Sequence, residues 1–471
     1  MNAKKILQFS VGPVGAAGLG LITVPFVAWF FPVEDVGRLT MLQVVLDLTV
    51  SLFSLGMHQA YVREYYEEED KHTLFKISML PGLCLLTLTT LVLLVMPFSI
   101  SEILFGIDSS LLTFLLIISV FFRFIINFLA HVVRMQERGL AFSATQIAPK
   151  AFLIILIGLI LLLNLDAEFK ILMSMNVLAI FLSLLVFTWL TRDTWFPAIS
   201  KSIDTDLLKQ MLKFSLPLVV GGLAYMGLTT MDRFFLRAMS GFDELGVYAL
   251  AASLAASVSV FSTIFSNLWH PVIYKWVKEG VDPIKVQVVI ENMVVFVAFI
   301  WGLIGLFSWI IPHFLPPEYK AIEYLIVACV AMPLFYMLSE TTMVGIGITR
   351  RTRFAMFASI SSFIINGALN YLLIPRFGAA GAALASVMAF FFFFTVRTEA
   401  SARLWHSFPR VRIYFLIICY VVITCIMVLT GAKVAYFSLV WLALLLLTTV
   451  LFFNRLVESV YFCKSYLLRR V

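Results

Sequence analysis

The chain has 471 residues, of which 62% are hydrophobic and 13% are charged. Water-soluble domains carry roughly 25% charged residues, so this composition excludes an ordinary soluble enzyme. The net charge of +7 would suit a nucleic-acid binder, but the cytoplasmic loops of membrane proteins also collect Lys and Arg. The composition therefore indicates a polytopic membrane protein, and nucleic acid is not an expected partner.

Apolar segments follow one another along the chain, separated by charged or Pro-bearing breaks. A membrane-spanning helix needs about 20 mostly apolar residues. The first segment, Ile6 to Phe31, is too long for a signal peptide and is interpreted as an uncleaved first helix. The sequence therefore predicts an all-α bundle of about fourteen transmembrane helices. The predicted spans lie near residues 6–31, 36–61, 73–97, 110–134, 139–163, 167–191, 214–238, 245–276, 285–311, 322–348, 353–374, 378–402, 411–430 and 434–454.

The distribution of Lys and Arg predicts the orientation of these spans. With the N-terminus in the cytosol, 25 of the 34 Lys and Arg residues fall in cytosolic loops and tails, and six fall in outer loops. A missed helix would invert every later loop and remove this asymmetry. We therefore expect an even number of spans, with both termini on the cytosolic side of a bacterial inner membrane.

A weak internal repeat predicts the domain organisation. The stretch "FSVGPVG" is followed by "VEDVGRLTML", and about 205 residues later "FSLPLVVGG" is followed by "FDELGVYALA". Repeated bundles of this kind often surround a central transport site. We expect two six-helix lobes around a central cavity, at residues 1–195 and 206–405. Residues 410–471 would add two further helices and a cytosolic tail.

Three stretches resemble the polysaccharide-transporter branch of the multidrug/oligosaccharidyl-lipid/polysaccharide (MOP) exporter superfamily, which includes Wzx-type O-antigen flippases. They are "VEDVGRLTMLQVVLDLTVSLFSLGMHQAYVREY", "FSLPLVVGGLAYMGLTTMDRFFL" with the later "ELGVYALA", and "NYLLIPRFGAAGAALAS". The likeness spans most of residues 1–405. The two additional helices resemble the fourteen-helix peptidoglycan-precursor flippases, whereas many O-antigen flippases have twelve, so the substrate stays open.

The resemblance implies a function and a set of partners. The implied activity is the flipping of an undecaprenyl-pyrophosphate-linked oligosaccharide from the cytosolic to the outer leaflet, by alternating access, for surface polysaccharides such as the lipopolysaccharide O-antigen. The implied partners are this lipid-linked substrate, membrane lipids, a polysaccharide polymerase and a chain-length regulator. The alternatives are a cation-coupled multidrug antiporter of the same superfamily and a membrane-embedded glycosyltransferase or polymerase.

Two polar stripes in apolar helices are candidate cavity walls. Arg123 lies midway along the fourth predicted helix, and Asn127 follows at helical spacing, as do His131 and Arg134. The second predicted helix carries a polar face, which consists of Thr40, Gln43, Asp47, Ser51, Ser54 and His58. A basic stripe suits a pyrophosphate, because Arg offers phosphate oxygens a fixed fork of donors. The alternative is that Arg123 and Asp47 pair to hold two helices together.

Other charged and polar residues within spans complete the candidate substrate site. Lys150 lies near the middle of the fifth helix, where a lipid-facing charge would be costly. Arg233 follows Asp232, and adjacent residues do not face each other on a helix, so the two are expected to serve different surfaces. Helix-packing roles are the alternative for the remaining candidates, which are His270, Glu340 and Asn366.

Signatures of enzymes are missing from the sequence. No Walker loop, GxSxG elbow, HExxH motif or Rossmann fingerprint occurs in a suitable context. We therefore expect a transporter that has no catalytic residues, no cofactor and no metal ion. The first predicted helix contains no acidic residue, whereas drug antiporters of the superfamily tend to carry one there, and this difference favours the flippase.

Overall fold

The computed structural model describes residues 3–163, 168–280, 282, 284–431 and 437–458, with the backbone alone for residues 3–10 and 267. Every regular element in these ranges is a helix. In chain order they are α1 (Ala3–Phe30), α2 (Val33–Phe53), α3 (Met57–Glu64), α4 (Lys71–Val95), α5 (Ile100–Phe105), α6 (Ser110–Met135), α7 (Gly139–Leu162), α8 (Phe169–Leu190), α9 (Arg192–Ala198), α10 (Thr205–Met239), α11 (Phe242–Ala256), α12 (Ser259–Lys278), α13 (Ile284–Phe307), α14 (Ile322–Cys329), α15 (Ala331–Thr342), α16 (Val344–Ile348), α17 (Arg353–Leu404), α18 (Val411–Thr430) and α19 (Phe437–Leu451). Two 3-10 segments, Ser308–Phe314 and Pro317–Tyr319, connect α13 to α14.

The helices have the lengths and compositions of membrane spans. Within the described ranges, twelve helical stretches are long and apolar enough to cross a membrane, and α19 is a shorter apolar helix. One of the twelve is the 52-residue α17, whose backbone leaves helical geometry at Gly378. Counting both halves of α17 together with α19 accounts for all fourteen predicted segments. The prediction of an all-α, multi-pass membrane protein is confirmed.

The break in α17 falls at the boundary that the sequence predicts between its eleventh and twelfth spans. Pro375 lacks the N–H needed to continue the helical hydrogen bonds, and Gly378 has φ 53° and ψ −129°. The carboxylate of Glu244, in the first turn of α11, accepts a hydrogen bond of 2.7 Å from the N–H of Ala379. A Cβ atom on Gly378 would lie 2.5 Å from this carboxylate, so the position favours glycine for both its φ and its space.

The second predicted helix, 36–61, is two helices in the structure. Leu55 and Gly56 both have positive φ, of 50° and 67°, and they separate α2 from α3. A Cβ atom on Gly56 would lie 2.8 Å from the carbonyl oxygen of Ser215, so α10 packs closely against this break. His58 therefore lies on α3 and does not continue the polar stripe of α2, which the uninterrupted helix of the sequence prediction had included.

Contacts divide the chain into two compact units, unit 1 (Met1–Phe234) and unit 2 (Phe235–Val471), with the boundary inside α10. In unit 1, α1 packs along α7, and both α6 and α7 pack on α8. In unit 2, α15 packs on α17 and α13 packs on α19. The lobes expected at 1–195 and 206–405 stay a prediction, and residues 459–471 of the expected tail lie outside the described residues.

The last two helices are part of the packing of unit 2. Cβ atoms on Gly302 and Gly305 would lie 2.6 and 2.3 Å from the side chains of Leu445 and Trp441, so these glycines let α19 approach α13 closely. Trp441 is fully buried there. The helix α18 contacts α13, α14 and α17. The appended helices are therefore docked on this unit through a large buried aromatic side chain.

Candidate functional site: charged side chains within the spans

Unit 1 contains an ion pair between two spans. Arg123 on α6 and Asp47 on α2 are joined by a contact of 3.2 Å between Nη2 and Oδ1. The side chains are 40% and 56% exposed, respectively. The hydrogen bond involves a single nitrogen of Arg123 and a single oxygen of Asp47. The pair thus leaves donor and acceptor capacity on both residues for another polar group.

Lys150 lies close to this pair, on α7. Its Nζ donates a hydrogen bond of 2.8 Å to the carbonyl oxygen of Ala16 on α1. A Cβ atom on Gly20 would lie 3.1 Å from the Nζ atom, so this glycine leaves room for the ammonium group. Lys150 and Arg123 are near enough for their charges to interact. Together with Asp47, they give this part of unit 1 a formal charge of +1 when all three are ionised.

Glycines explain why Lys150 reaches the neighbouring helix. A Cβ atom on Gly12 would lie 2.8 Å from the Cα atom of Ser143, and one on Gly15 would lie 2.7 Å from the side chain of Ile147. Small residues of this kind let the backbones of membrane helices approach each other closely. The spacing between α1 and α7 therefore brings a backbone carbonyl within reach of a mid-span lysine.

Two histidines lie near the cytosolic end that the sequence predicts for α6. The Nδ1 atom of His131 is 2.8 Å from the carbonyl oxygen of Asn127, so this nitrogen is the donor. The ring centroid of His131 is 5.1 Å from that of His58 on α3. The structure thus brings His58 beside the predicted Arg123–Asn127–His131 stripe, through a tertiary contact between α3 and α6.

Arg233 on α10 stays close to its own helix. Its Nη1 donates a hydrogen bond of 2.8 Å to the carbonyl oxygen of Thr229, one turn earlier. The same nitrogen is 4.0 Å from Oδ1 of the buried Asp232, at the outer limit of an ion pair. The Arg233 side chain thus folds back along α10, and the expectation that Asp232 and Arg233 serve different surfaces stays a prediction.

Unit 2 contains a second group of charges, which is formed by three helices. Glu340 on α15 contacts Arg397 on α17 at 3.0 Å through Oε1, and His270 on α12 at 3.3 Å through Oε2. The side chains of Glu340 and Arg397 are only 8% and 7% exposed, whereas that of His270 is 40% exposed. We call these three residues the His270–Glu340–Arg397 cluster.

Sequence reasoning missed Arg397. Arg397 lies inside the predicted span 378–402 but is not among the candidate residues predicted from the sequence; in the structure α17 continues to Leu404 and the side chain is buried. Its position within a predicted apolar span was the available signal. The sequence could not supply the pairing, because the two residues are 57 positions apart on different helices.

Asn366 lies in a separate polar group on the first half of α17. The amide nitrogen of Asn370 donates a hydrogen bond of 2.9 Å to the amide oxygen of Asn366, and both side chains are fully buried. Ser362, one turn before Asn366, is also fully buried. These residues form one buried face of α17, and no contact among the described residues links them to the charged clusters.

Outside the spans, an ion pair ties the start of α4 to the segment after α9. Asp70 caps α4 by accepting hydrogen bonds from the N–H groups of His72 and Thr73. Its carboxylate lies 2.8 Å from Nζ of Lys201. The hydrogen bond from Lys201, helped by those from the backbone, holds the pKa of Asp70 below its usual range. Asp70 therefore stays ionised at neutral pH.

The described residues contain no group of three or more His, Cys, Asp or Glu side chains that could hold a metal ion. The candidate groups described above are mainly ion pairs, histidines and amides. Such groups can bind anionic or hydrogen-bonding ligands and can exchange partners between helices.

The family of the chain follows from a sequence match. The family model described as "Polysaccharide biosynthesis protein" matches residues 3–277, more than half of the 471-residue chain. The chain belongs to the polysaccharide biosynthesis protein family, and the resemblance to polysaccharide transporters is confirmed. Comparison with curated protein sequences found no match.

Solved structures of MOP transporters share this fold. The chain matches "Lipid II flippase MurJ, inward closed conformation" with a TM-score of 0.66 and 15% identity, over 96% of this chain and 100% of that chain. It matches an inward-facing multidrug resistance MATE family transporter of the MOP superfamily with a TM-score of 0.56 and 14% identity, over 86% and 99% of the two chains. For a MOP superfamily transporter from Pyrococcus furiosus Vc1 (DSM3638), the TM-score is 0.51 and the identity 15%, over 85% and 96%.

Proposed function

We propose that this protein flips an undecaprenyl-pyrophosphate-linked oligosaccharide from the cytosolic to the outer leaflet of a bacterial inner membrane. The observation that carries the proposal is the half-exposed Arg123–Asp47 pair at mid-span. Membership of the polysaccharide biosynthesis family supports a polysaccharide precursor as the cargo. The sugar and the pathway, whether O-antigen or another surface polysaccharide, are left open by this proposal.

The exposure of this pair favours an aqueous path. A charged side chain within a membrane span is costly when it faces hydrocarbon, and such residues almost always face a bundle interior or a water-filled cavity. Arg123 is the fourteenth residue of the 26-residue α6, and its side chain is 40% exposed. We infer that it faces a cavity, through which the sugar and pyrophosphate move while the lipid tail stays in the bilayer.

The chemistry of the pair suits a pyrophosphate. Arg presents a planar fork of donors that matches phosphate oxygens, and Lys150 adds a second positive charge nearby. Asp47 partly neutralises Arg123, so an arriving pyrophosphate would exchange with a carboxylate that already contacts the guanidinium. His58, Asn127, Arg233, His270, Glu340 and Asn366 stay proposed contributors to the substrate path, with less support than these three residues.

Membrane potential can assist the proposed direction of transport. The interior of the cell is negative, so moving negative charge outward is favourable by about 2.3 kcal/mol per charge per 100 mV. Repeated lobes that rock around a shared site would provide alternating access. In this proposal the lobes are residues 1–195 and 206–405, and a polysaccharide polymerase and a chain-length regulator act on the delivered substrate.

The proposed orientation has a direct test. Reporter fusions after Lys5, Ser200 and Arg470 should all report the cytosol if fourteen spans place both termini inside. An external signal at Arg470 would show that the number of spans is odd.

Gene deletion separates the flippase from its rivals. Loss of the protein should stop surface polysaccharide and accumulate lipid-linked oligosaccharide on the cytosolic side. Normal polysaccharide with new sensitivity to cationic dyes would instead favour a multidrug antiporter. Accumulation of an incomplete oligosaccharide, with flipping intact, would favour a glycosyltransferase or polymerase. Complementation by the wild-type gene is the control for each outcome.

A further inference from the structure

The three members of the His270–Glu340–Arg397 cluster come from three helices, α12, α15 and α17. Each oxygen of the Glu340 carboxylate has its own cationic partner, because Oε1 faces Arg397 and Oε2 faces His270. The Arg397 guanidinium also lies 4.8 Å from the ring centroid of Phe393 and contacts the sulfur of Met343. Glu340 is therefore the point at which the three helices are joined.

The two buried members balance each other without His270. Glu340 and Arg397 carry opposite charges, and a buried carboxylate is tolerated when it is paired and hydrogen-bonded. The positive charge of His270 is consequently an optional addition to a neutral pair. A histidine next to a carboxylate becomes a charged partner when it is protonated.

The three residues differ in exposure, and the difference suits a histidine that gains and loses a proton beside a buried pair. Glu340 and Arg397 are enclosed, whereas His270 has 40% of its side-chain surface exposed. Exchange of a proton at His270 would therefore not require the buried pair to open. Protonation would place a positive charge on His270, 3.3 Å from the Glu340 carboxylate, and so add Coulomb attraction to the contact between α12 and α15.

Other titratable groups among the described residues lie on the helices around the cluster. On α15, Tyr336 lies within hydrogen-bonding reach of Glu340. On α12, Tyr274 points at Gly347, and Lys275 pairs with Glu279 at the helix end. The acidic residues of α11 lie in its first turn, where Glu244 is bonded to Ala379. Among the described residues that face His270, Glu340 is therefore the group whose charge its protonation would complement.

We propose that His270 is a protonation-dependent clasp that fastens α12 to α15 and α17 of unit 2. In its protonated form, His270 bridges to the Glu340–Arg397 pair and holds α12 in place. In its neutral form, the bridge weakens and α12 is held mainly by apolar packing. The clasp concerns the internal packing of unit 2, and it holds whatever substrate the protein carries.

The first test measures thermal unfolding of the purified full-length protein in one detergent at about pH 5.5 and about pH 8. Wild type should gain more stability at the acidic pH than His270→Gln does. Glutamine keeps a hydrogen-bond donor near Glu340 but cannot take up a proton, and the buried Glu340–Arg397 pair stays intact in this variant. His406→Gln is the matched control, since His406 is exposed and should leave the wild-type pH response unchanged.

The decisive quantity is the difference between the two pH responses, because other groups also titrate in this range. Equal responses of wild type and His270→Gln would overturn the clasp. The clasp would also be overturned if His406→Gln reduced the pH response of stability as much as His270→Gln does.

A second measurement uses wild type alone, so that the proposal can be tested even if the variant does not fold. Hydrogen exchange of α12, corrected for the intrinsic pH dependence of exchange, should be several-fold faster at about pH 8 than at about pH 5.5, relative to α6. Equal corrected protection of α12 at the two pH values would contradict the clasp. Neither measurement involves a substrate, so a failed flipping assay would count against the proposed function and leave this result standing.

Discussion

The two ion pairs within the spans have the same chemistry and opposite surroundings. Arg123 and Asp47 in unit 1 are half exposed and joined by a single hydrogen bond, whereas Arg397 and Glu340 in unit 2 are buried. A buried pair whose partner is removed leaves an uncompensated charge, and an exposed pair can exchange partners with water or a ligand. The position of a charge within a span is therefore not enough to indicate a function, and the exposure of its side chain must be known as well.

Breaking the buried pair should have the largest effect. Glu340→Ala leaves Arg397 buried without its carboxylate, which costs about 3–5 kcal/mol when a buried pair loses one member. We expect a strong loss of folded protein, to be measured by a membrane-protein blot and by thermal unfolding. The double variant Glu340→Leu/Arg397→Leu should recover much of the abundance, because apolar replacements remove both desolvated charges. If Glu340→Ala is as abundant as wild type, the pair does not stabilise unit 2.

Breaking the exposed pair should affect transport instead of folding. Arg123→Ala should abolish complementation at normal abundance, since a hydrogen bond to a charged group contributes about 1.5–3 kcal/mol, or roughly tenfold to a hundredfold in binding. Arg123→Lys should restore only part of the activity, because a point charge cannot reproduce a bidentate grip on phosphate oxygens.

The same experiment tests the alternative role for Arg123. If the pair only holds α2 and α6 together, both single changes at Arg123 and Asp47 should lower abundance. The neutral double variant should then regain function. A fully active Arg123→Ala protein at normal abundance would remove this residue from the mechanism.

The packing that positions Lys150 should be sensitive to a single methyl group. In Gly12→Ala, the new Cβ would lie 2.8 Å from the backbone of Ser143, so α1 and α7 must separate. We expect a loss of about 1–3 kcal/mol in stability, measured by thermal unfolding, together with weaker complementation. Gly18→Ala is the matched control, since its Cβ meets nothing within 4 Å. A similar loss in both variants would mean that helix contacts at Gly12 are not the cause.

The smallest effect is expected outside the spans, at the helix cap of α4. Asp70→Ala should lower stability by about 1 kcal/mol at neutral pH through loss of the cap. Because the pKa of Asp70 is lowered in the folded protein, its ionised form stabilises the fold at pH values above the usual carboxylate pKa. This stabilisation disappears as the pH falls through the folded-state pKa. Thermal unfolding of wild type and Asp70→Ala should therefore converge in strong acid. A constant difference down to that pH would exclude an electrostatic contribution.

Helical spacing correctly predicted that some of the candidate residues lie on one helix. Arg123, Asn127 and His131 occur on one continuous helix, α6, so their common face could be predicted from their positions alone. The stripe on α2 was extended too far, because the positive φ angles at Leu55 and Gly56 follow from a close approach of α10. His58 joined the site through its contact with His131 instead, and that contact depends on how α3 packs on α6.

The sequence by itself determined the class of the protein. Long apolar segments must be helices in a membrane, because each backbone polar group has to be satisfied within its own segment. The fourteen segments and the break near Gly378 both followed from such local signals. Burial and pairing were decided only by the tertiary structure, since they depend on residues far apart in the chain. Arg397 meets Glu340, and Lys150 reaches Ala16, because particular helices pack at particular distances, and no local pattern encodes those distances.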